Sequence, residues 1–555
     1  MFKKGFAFFV ILFLVALPLV AVAQNEPVIL RYPITTDPEQ LNPFISDTIA
    51  VGTVTRNIFE SLTAYNAATG EIEPALAESW DIGEDDQGRQ VYTFKIRPGV
   101  LFHQIDGVTY GEGEREVTAD VVLWNYLTAL NGDENVSIRA GELDVISGAK
   151  AFTEGTAEEV EGLKVLDKYT LQITLDAPDR LFLINGMVSI TSPVAYEQLG
   201  EDINNKAVGT GPFQFVEWLR QDRLVLEANP DYWKPGVPKV DGIRFINFGD
   251  ANTALLAYRE NEIDFLFSFP DGQRAAVISE FADDFNEKPG LHVRYWGFNM
   301  NNGFFAENPL VRKAFSHALD RETAWTILAE GARFPANLGM LPPSFPASTP
   351  ATTYPYDLQR AAELLDEAGF PATGAPLIAS IEDVEQCWGA REGMPEVQIH
   401  LLEAISGEPQ VVLWQEALTC LGVKVTFKVE DGGTYWDSIV KDDAMIFTNG
   451  WAAGLVDPSD VFDFLILEGR GSMRYNNPEV NELLRQARVE LDEDARNQLY
   501  QKVHDIVMED AVVIPSAYSK VAWLQKPWIQ DFVPGGGGTY TAPLWNVSVN
   551  ADLKP

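Results

Sequence analysis

The chain has 555 residues, of which 46% are hydrophobic, and this is ample for several large cores. It carries 81 acidic residues against 41 lysines and arginines, a formal net charge of −40 at pH 7. A surface this negative repels nucleic acid and anionic lipid, so we expect neither as a partner. The charge is typical of a solvated acidic surface and does not by itself indicate a cationic ligand.

The N-terminus has the three parts of a secretory leader within Met1–Ala23. Two lysines precede the apolar stretch Phe6–Leu17, and small residues end the segment at a cleavage site that would leave Gln24 first. An uncleaved membrane anchor is the alternative, but Pro18 interrupts the apolar run, which is close to the lower limit for spanning a bilayer. No cysteine follows the leader. We therefore predict an exported protein, periplasmic or on the outer face of the cell, that is not a lipoprotein.

Strands and helices are both predicted along the rest of the chain. Val208–Trp233 combines a glycine-proline turn with two alternating apolar runs, a pattern typical of a hairpin. Further strands are predicted where apolar residues alternate, at Tyr92–Ile96, Leu171–Leu175, Ile243–Phe245, Leu291–Tyr295 and Val425–Val429. Helices are predicted at Val51–Phe59 and after the capping residues Asn308, Asp357, Asn477 and Asp492. The mixture indicates an α/β protein.

Two segments have no regular period. Phe334–Tyr356 contains six prolines and is predicted to be an extended surface segment. Val533–Gly538 reads VPGGGG and is predicted to be a flexible turn.

Cys387 and Cys420 are the only cysteines. An even number in an exported chain favours one disulfide between them, although two separate buried thiols would also fit. There is no CxxC and no histidine pair at ligand spacing, so we expect neither a metal site nor a cofactor.

Catalytic motifs are almost absent. Ser147–Lys150 reads SGAK and matches the SxxK pairing of some acyl-transfer enzymes, but its companion motifs SDN and KTG are missing. The five histidines are scattered, and none lies in HExxH. A secreted hydrolase is therefore the weaker alternative, and we predict no enzyme activity.

Short motifs in a fixed order resemble one family over nearly the whole mature chain. Beside the GTGP and NPDYW sequences of Val208–Trp233, they are Pro74–Trp80, Tyr92–Phe102, Val117–Val122, Leu256–Asp264, Val311–Arg321, Tyr356–Phe370, Gly450–Pro458, Tyr475–Glu482 and Asp494–Tyr500. On these motifs the chain resembles the family 5 extracellular solute-binding proteins, which carry peptides and related solutes to ABC importers.

The resemblance implies an α/β, bilobed fold of the periplasmic-binding-protein type (type II, the three-domain cluster C). Domain I would comprise residues 24–62, 200–294 and 520–555, domain II residues 63–199, and domain III residues 295–519. Two crossing strands, near Tyr295–Asn299 and Ser516–Val521, would form the hinge. The protein would act as a monomer that closes around its solute like a Venus flytrap and docks on ABC permease subunits.

Two segments line the ligand cavity in the family. Here they are Ser46-Asp47-Thr48 and Asn449-Gly450-Trp451, and the aromatic Trp436 is a further ligand candidate. Hydroxyls and a carboxylate suit hydrogen bonding, and Gly450 allows close backbone approach. The alternatives are a capped turn before the helix for Ser46–Thr48 and ordinary core packing for both tryptophans.

One position departs from the peptide-binding relatives. They carry an aspartate three residues after the tryptophan, where it pairs with the ammonium of the ligand, but this chain has Gly454. Either another acid, such as Asp47, takes this role or the ligand lacks a free N-terminus. Peptide transport remains the leading hypothesis, an oligosaccharide receptor is the alternative, and a sensor or chaperone on the same fold stays open.

Overall fold

The computed structural model describes residues 27–554, apart from residues 47, 68, 134, 180, 271, 346, 347, 349, 352 and 491. The predicted leader, Met1–Ala23, lies outside the described residues, as does Asp47.

The strands lie at β1 Ile29–Ile34, β2 Thr63–Tyr65, β3 Ile72–Pro74, β4 Ala77–Glu84, β5 Gln90–Ile96, β6 Leu163–Asp167, β7 Thr170–Thr174, β8 Phe213–Leu219, β9 Arg223–Ala228, β10 Gly242–Asn247, β11 Phe265–Leu266, β12 Phe285–Phe298, β13 Phe334–Pro335, β14 Ala372–Pro376, β15 Gly389–Arg391, β16 Val397–Leu402, β17 Val425–Glu430, β18 Ile446–Ala452, β19 Val513–Gln525, β20 Ile529–Gln530 and β21 Ser548–Val549.

The α-helices lie at α1 Ile49–Thr55, α2 Ala119–Ala129, α3 Ala149–Thr153, α4 Phe182–Asn185, α5 Pro193–Leu199, α6 Ala251–Arg259, α7 Arg274–Glu280, α8 Gly303–Glu307, α9 Pro309–His317, α10 Leu358–Glu367, α11 Pro409–Cys420, α12 Gly432–Val440, α13 Ser459–Leu465, α14 Pro478–Val489 and α15 Glu493–Glu509. Thr323–Leu328 forms a short π-helix.

Three larger sheets organise these elements. One has the order β1-β10-β9-β8, a second β4-β5-β7-β6, and the third β11-β19-β12-β18-β16-β17, with β13 also paired to β19. The first sheet contains the predicted hairpin, because β8 and β9 pair antiparallel. A bulge between Phe215 and Glu217 shifts the alternation, so Val216 is exposed and Trp218 packs on the core of this sheet.

The long strands β12 and β19 connect two parts of the molecule. At one end Phe285 and Leu524 belong to the core beside β11, while at the other end Trp296 and Ile514 belong to the core of the third sheet. The pairing of the two strands breaks register between Pro289 and Val293. The break lies just before the predicted hinge segment Tyr295–Asn299, and the domain boundaries themselves stay a prediction.

Side chains cap several of the helices as the sequence predicts. Asp357, Asn477 and Asp492 each accept hydrogen bonds from backbone N–H groups in the first turn of α10, α14 and α15. The prediction for Asn308 was wrong, because its amide donates to the carbonyl of Phe304 in the preceding helix at 2.7 Å.

The predicted helix Val51–Phe59 was too long at its C-terminal end, since α1 ends at Thr55. The hydroxyls of Thr53 and Thr55 donate to the carbonyls four residues back, and the next N–H groups bond three residues back. Such side-chain bonds weaken the helical ladder, so the chain tightens into a turn before Phe59.

The prediction of a surface location for Phe334–Tyr356 was also wrong. Phe334–Pro335 pairs with β19, and later side chains of the segment are buried, among them Ala336, Met340, Leu341, Phe345, Ala351 and Tyr354. The prolines break the period without making the segment hydrophilic, and its apolar side chains cover the core beneath β19.

Candidate functional site

Two cavities adjoin where the first and third sheets meet. The first, here called the N-terminal cavity, has a volume of about 480 Å³ and is lined by Tyr32–Thr36, Glu39, Thr48–Ala50, Thr53, Phe267, Thr539 and Tyr540. The second, here called the hinge cavity, has a volume of about 300 Å³ and is lined by Phe267, Leu291, His292, Ala452, Ala453, Ser519–Ala522 and Gly536–Thr539. Phe267 and Thr539 line both, so the two cavities are neighbours.

Helix α1 forms part of the N-terminal cavity. Its first residue follows Thr48, whose hydroxyl accepts from the Val51 N–H at 3.4 Å and donates to Glu39 at 3.0 Å. Thr48 therefore caps α1, as the alternative interpretation of this segment predicted, and it also lies in the wall of the N-terminal cavity. Ser46 precedes the cap and is half-buried.

Three aromatic side chains line the N-terminal cavity, Tyr32, Phe267 and Tyr540, and Phe267 also lines the hinge cavity. Tyr32 and Phe267 lie with their ring centroids 4.8 Å apart, and the Arg56 guanidinium lies 5.5 Å from the ring centroid of Tyr540. Burial lowers the pKa of Arg56, whose Nε donates to the carbonyl of Gly52 at 2.7 Å. The N-terminal cavity therefore has an apolar aromatic wall, and the Arg56 guanidinium lies against the Tyr540 ring of that wall.

The predicted segment Asn449-Gly450-Trp451 lies on β18, against the middle of β12. Arg294 pairs with Gly450 and His292 with Ala452. A Cβ at position 450 would lie 2.3 Å from the His292 Nε2, so a side chain here would force the imidazole or the strand to move. Asn449 accepts a hydrogen bond from the Gly450 N–H at 2.7 Å.

Trp451 is held by an acid that the sequence analysis did not single out. Its indole N–H donates to Asp460 at 3.0 Å, and the other oxygen of Asp460 accepts from the N–H groups of Gly454 and Leu455 at 2.7 and 2.9 Å. Burial raises the pKa of Asp460. A Cβ at position 454 would lie 3.7 Å from Asp460 Oδ2, so this carboxylate stands beside the position where the relatives carry an aspartate.

Among the predicted ligand-binding residues that the structure describes, only Thr48 lines one of the two cavities, and the others do not: Ser46, Trp436, Asn449, Gly450 and Trp451. Trp436 lies on α12 with 47% of its surface exposed, beside Tyr435, and it lines neither cavity. Part of the predicted flexible turn Val533–Gly538 also lines the hinge cavity, namely Gly536–Gly538, together with Thr539. The sequence feature that could have indicated this position is the run of four glycines, Gly535–Gly538. Their backbone approaches β12 closely, and the Gly536 carbonyl accepts from the Leu291 N–H at 2.9 Å.

The serine and lysine of the SxxK match do not form a pair. The Ser147 hydroxyl donates to Asp176 at 2.6 Å, and the exposed Lys150 lies 4.0 Å from Glu154.

Cys387 and Cys420 form a disulfide with an S–S distance of 2.07 Å. Among the residues that the structure describes, no group of three His, Cys, Asp or Glu side chains is placed to hold a metal ion. Within the same ranges, no helix has the length and hydrophobicity needed to span a bilayer.

Residues 71–472 match the family described as bacterial extracellular solute-binding proteins, family 5. The chain is 25% identical over 494 residues to di/tripeptide-binding protein 1 of Pseudomonas aeruginosa, covering 86% of each chain. It is 26% identical over 531 residues to the oligopeptide-binding protein OppA of Bacillus subtilis, covering 91% of this chain and 90% of the relative.

Solved structures show the same fold. The unliganded open form of the periplasmic murein tripeptide-binding protein MppA matches with a TM-score of 0.78 and 22% identity, over 95% of this chain and 98% of MppA. The periplasmic binding protein DppA of Helicobacter pylori, in complex with the peptide STSA, matches with a TM-score of 0.64 and 24% identity, over 94% and 98%. The predicted α/β fold with two lobes is confirmed.

Proposed function

The chain belongs to the bacterial extracellular solute-binding proteins of family 5, and we propose that it is the substrate-binding component of an ABC importer for short peptides. The pair of adjoining cavities carries the proposal. Their walls combine α1 and the glycine run with β12, β18 and β19, so a ligand there would touch both lobes. Only a ligand with contacts to both lobes favours the closed state over the open state.

The acid beside Gly454 favours a ligand with a free ammonium group. The Asp460 carboxylate is oriented by three donors, so little freedom is lost when it binds a cation. Tyr65 stands on the opposite side of this loop, where its hydroxyl accepts from the Val456 N–H at 2.5 Å. We propose that Asp460 supplies the charge that the relatives obtain from the residue at position 454.

The oligosaccharide alternative needs an open aromatic face in the cleft. The Trp451 ring is stacked on Phe464, with centroids 5.2 Å apart and an interplanar angle of 28°. One face of Trp451 is thereby covered and its indole N–H is already bonded to Asp460, which makes it a poor sugar platform. The named relatives are binding proteins, and we propose that this chain also binds without catalysis.

The remaining proposals concern the location of the protein in the cell, its oligomeric state and its partner. We propose export with cleavage before Gln24, without a lipid anchor, and action as a monomer on the permease of an ABC importer. The family is extracellular, which agrees with export.

Native mass spectrometry of the exported protein, purified without refolding, tests the proposed function. We expect a set of copurified masses that tandem fragmentation assigns to short peptides, and calorimetry should then show binding of synthetic di- to tetrapeptides. A single oligosaccharide mass, together with no calorimetric signal from any peptide, would overturn the proposal.

A further inference from the structure

The turn between β2 and β3 contacts segments from both of the other predicted domains. We call residues 65–71, which lie in predicted domain II, the hairpin tip. The two strands pair antiparallel, and within the turn the Gly70 N–H donates to the Asn66 carbonyl at 2.7 Å. The hairpin tip contacts Val456, in predicted domain III, and Gly535, in predicted domain I. One turn therefore lies where all three predicted domains meet.

The contact with Val456 has a polar part and an apolar part. Val456 belongs to residues 453–458, here called the loop after β18, and its N–H donates to the Tyr65 hydroxyl at 2.5 Å. A Cβ at position 70 would lie 3.4 Å from the Val456 Cβ, so the backbone of Gly70 packs against this side chain. Val456 also packs against the core beneath β19. The hairpin tip is thus joined to the third sheet through this one residue.

The contact with Gly535 is a close approach of two backbones. A Cβ at position 535 would clash with the carbonyl oxygen of Ala67, so a side chain there would force one of the two backbones to move. Gly535 is also the first of the four glycines whose later members line the hinge cavity. The hairpin tip therefore contacts both the loop after β18 and the segment that leads into the wall of the hinge cavity.

Three consecutive backbone N–H groups of the loop after β18 are divided between two side chains. Those of Gly454 and Leu455 donate to the Asp460 carboxylate, and the next one, of Val456, donates to Tyr65. Since consecutive peptide groups are joined by only two soft dihedral angles per residue, the two sets of bonds are not independent. A change in the orientation of Asp460 therefore alters the contact with the hairpin tip.

Tyr65 makes this contact as a neutral hydroxyl. Burial raises the pKa of Tyr65 to about 12, and the nearby Asp457 and Asp460 act in the same direction, although the Val456 N–H opposes them. Asp457 is paired with Arg496 at 2.5 Å. Over the ranges that the structure describes, Asp460 has no ion pair. Asp460 is therefore the acid beside Tyr65 that is free to respond to a cationic ligand.

We propose that Tyr65 is a positioning residue, which fixes the loop after β18 to the hairpin tip and thereby orients Asp460 for the ammonium of the ligand. This inference rests on the proposed function, in which Asp460 binds that ammonium. Because coupling between two equilibria is reciprocal, a contact that helps the ligand to bind is strengthened by the bound ligand to the same extent. Binding at Asp460 then stabilises the hairpin tip as well.

Tyr65→Phe tests the proposal because it removes the acceptor and keeps the ring. The probe is the tightest-binding of the synthetic di- to tetrapeptides, used with a free ammonium and as its N-acetyl form. We expect calorimetry to show a loss of about fivefold for the free-amine peptide, the effect of one partly buried hydrogen bond. The N-acetyl form should lose less than about twofold, because it has no cation for Asp460. Equal losses for the two forms would indicate a purely structural role and overturn the proposal.

Tyr258→Phe is the matched control. Tyr258 lies on α6 in a different core, and its hydroxyl donates to Asp284 at 2.7 Å. The variant therefore removes one tyrosine hydrogen bond without touching the loop after β18, and it should leave both affinities unchanged. If Tyr258→Phe lowered the affinity for the free-amine peptide as much as Tyr65→Phe does, the assignment of Tyr65 would be overturned.

Hydrogen exchange of the wild-type protein is a test that needs no variant. With the free-amine peptide bound, the N–H groups of Asn66 and Gly70 should exchange about fivefold more slowly than in the peptide-free protein, because the coupling is reciprocal. Slower exchange in the loop after β18 alone would overturn the inference and leave the proposed function intact. Failure of every di- to tetrapeptide to bind would overturn the proposed function and this inference with it.

Discussion

Two groups of charged side chains beside the C-terminal end of β18 differ in how their charges are satisfied, and we call the loop around Asp460 the acidic end and the side chains of His292, Arg294 and Arg333 the basic end. Beyond the C-terminal end of β18, the Asp460 carboxylate accepts three hydrogen bonds from its own loop. The Arg333 side chain, beside β19 of the same sheet, has no hydrogen bond or ion pair among the described residues. The acidic end is therefore organised by the protein's own hydrogen bonds, while the basic end keeps an unpaired cation.

The largest expected effect concerns the packing of the basic end. In Gly450→Ala the new Cβ would lie 2.3 Å from His292 Nε2, so the imidazole or the strand must move. We expect the free energy of unfolding to fall by about 2–3 kcal/mol, measured by chemical denaturation. Gly454→Ala is the matched control, because its Cβ would only reach Asp460 at 3.7 Å, an ordinary contact. Equal losses for both variants would mean that the two ends are packed alike.

The next effect concerns the charge of the acidic end. Asp460→Asn should weaken binding of a peptide with a free ammonium by roughly tenfold, or about 1.4 kcal/mol. N-acetylated peptides should be affected much less, since they carry no cation for Asp460. Adding Gly454→Asp to this variant should restore affinity, because it places a carboxylate beside the same loop. Calorimetry that finds no rescue, and equal losses for both peptide forms, would remove Asp460 from the site.

The pH dependence should separate the two ends. Binding of an ammonium requires ionised Asp460, so affinity falls as pH falls through its pKa, which burial raises above the ordinary value of 3.8. Arg333 stays charged until pH rises towards about 10. Between pH 7 and pH 3.8 we therefore expect free-amine peptides to lose affinity relative to their N-acetyl forms. A constant ratio over this range would contradict the assignment of Asp460.

The N-acetyl forms also correct for other groups that titrate in this range. Burial raises the pKa of Glu60 to about 7, although the hydroxyls of Thr210 and Tyr232 and the indole of Trp233 donate to its carboxylate. A raised folded-state pKa contributes stability that is present at low pH and is lost as pH rises through about 7. This contribution is common to both peptide forms and cancels in their ratio.

The smallest effect is expected away from both ends. Trp436→Ala should change peptide affinity by less than about twofold, because Trp436 is half-exposed on α12 and Asp460 is bonded by Trp451 instead. Trp451→Ala is the contrasting variant, since Trp451 donates to Asp460 and should weaken binding severalfold. If fluorescence titration gave the larger loss for Trp436→Ala, the cleft would have to include α12.

Much of the fold could be predicted from the sequence because its signals are local. The hairpin at Val208–Trp233 follows from alternation and turn residues, and the caps of α10, α14 and α15 follow from Asp or Asn before an apolar period. The buried path of Phe334–Tyr356 could not be predicted, because its prolines remove the periodicity that would signal burial. Long-range pairing to β19 decides its position.

The site was predicted only in part for the same reason. Motifs led to the prediction of Gly450 and Trp451, whereas His292 and Ser519 come from distant segments that meet only through the pairing of β12 and β19. Asp460 lies six residues after Gly454, and only the folded loop shows that its carboxylate reaches that position. Asp47, predicted as a substitute acid, lies outside the described residues and stays a prediction.

A crystal structure of the protein with its principal copurified peptide would test the direction of binding most directly. We expect the peptide between the lobes, with its ammonium within hydrogen-bonding distance of Asp460. A peptide whose ammonium lies away from Asp460, or a ligand in the cleft that is not a peptide, would contradict this account.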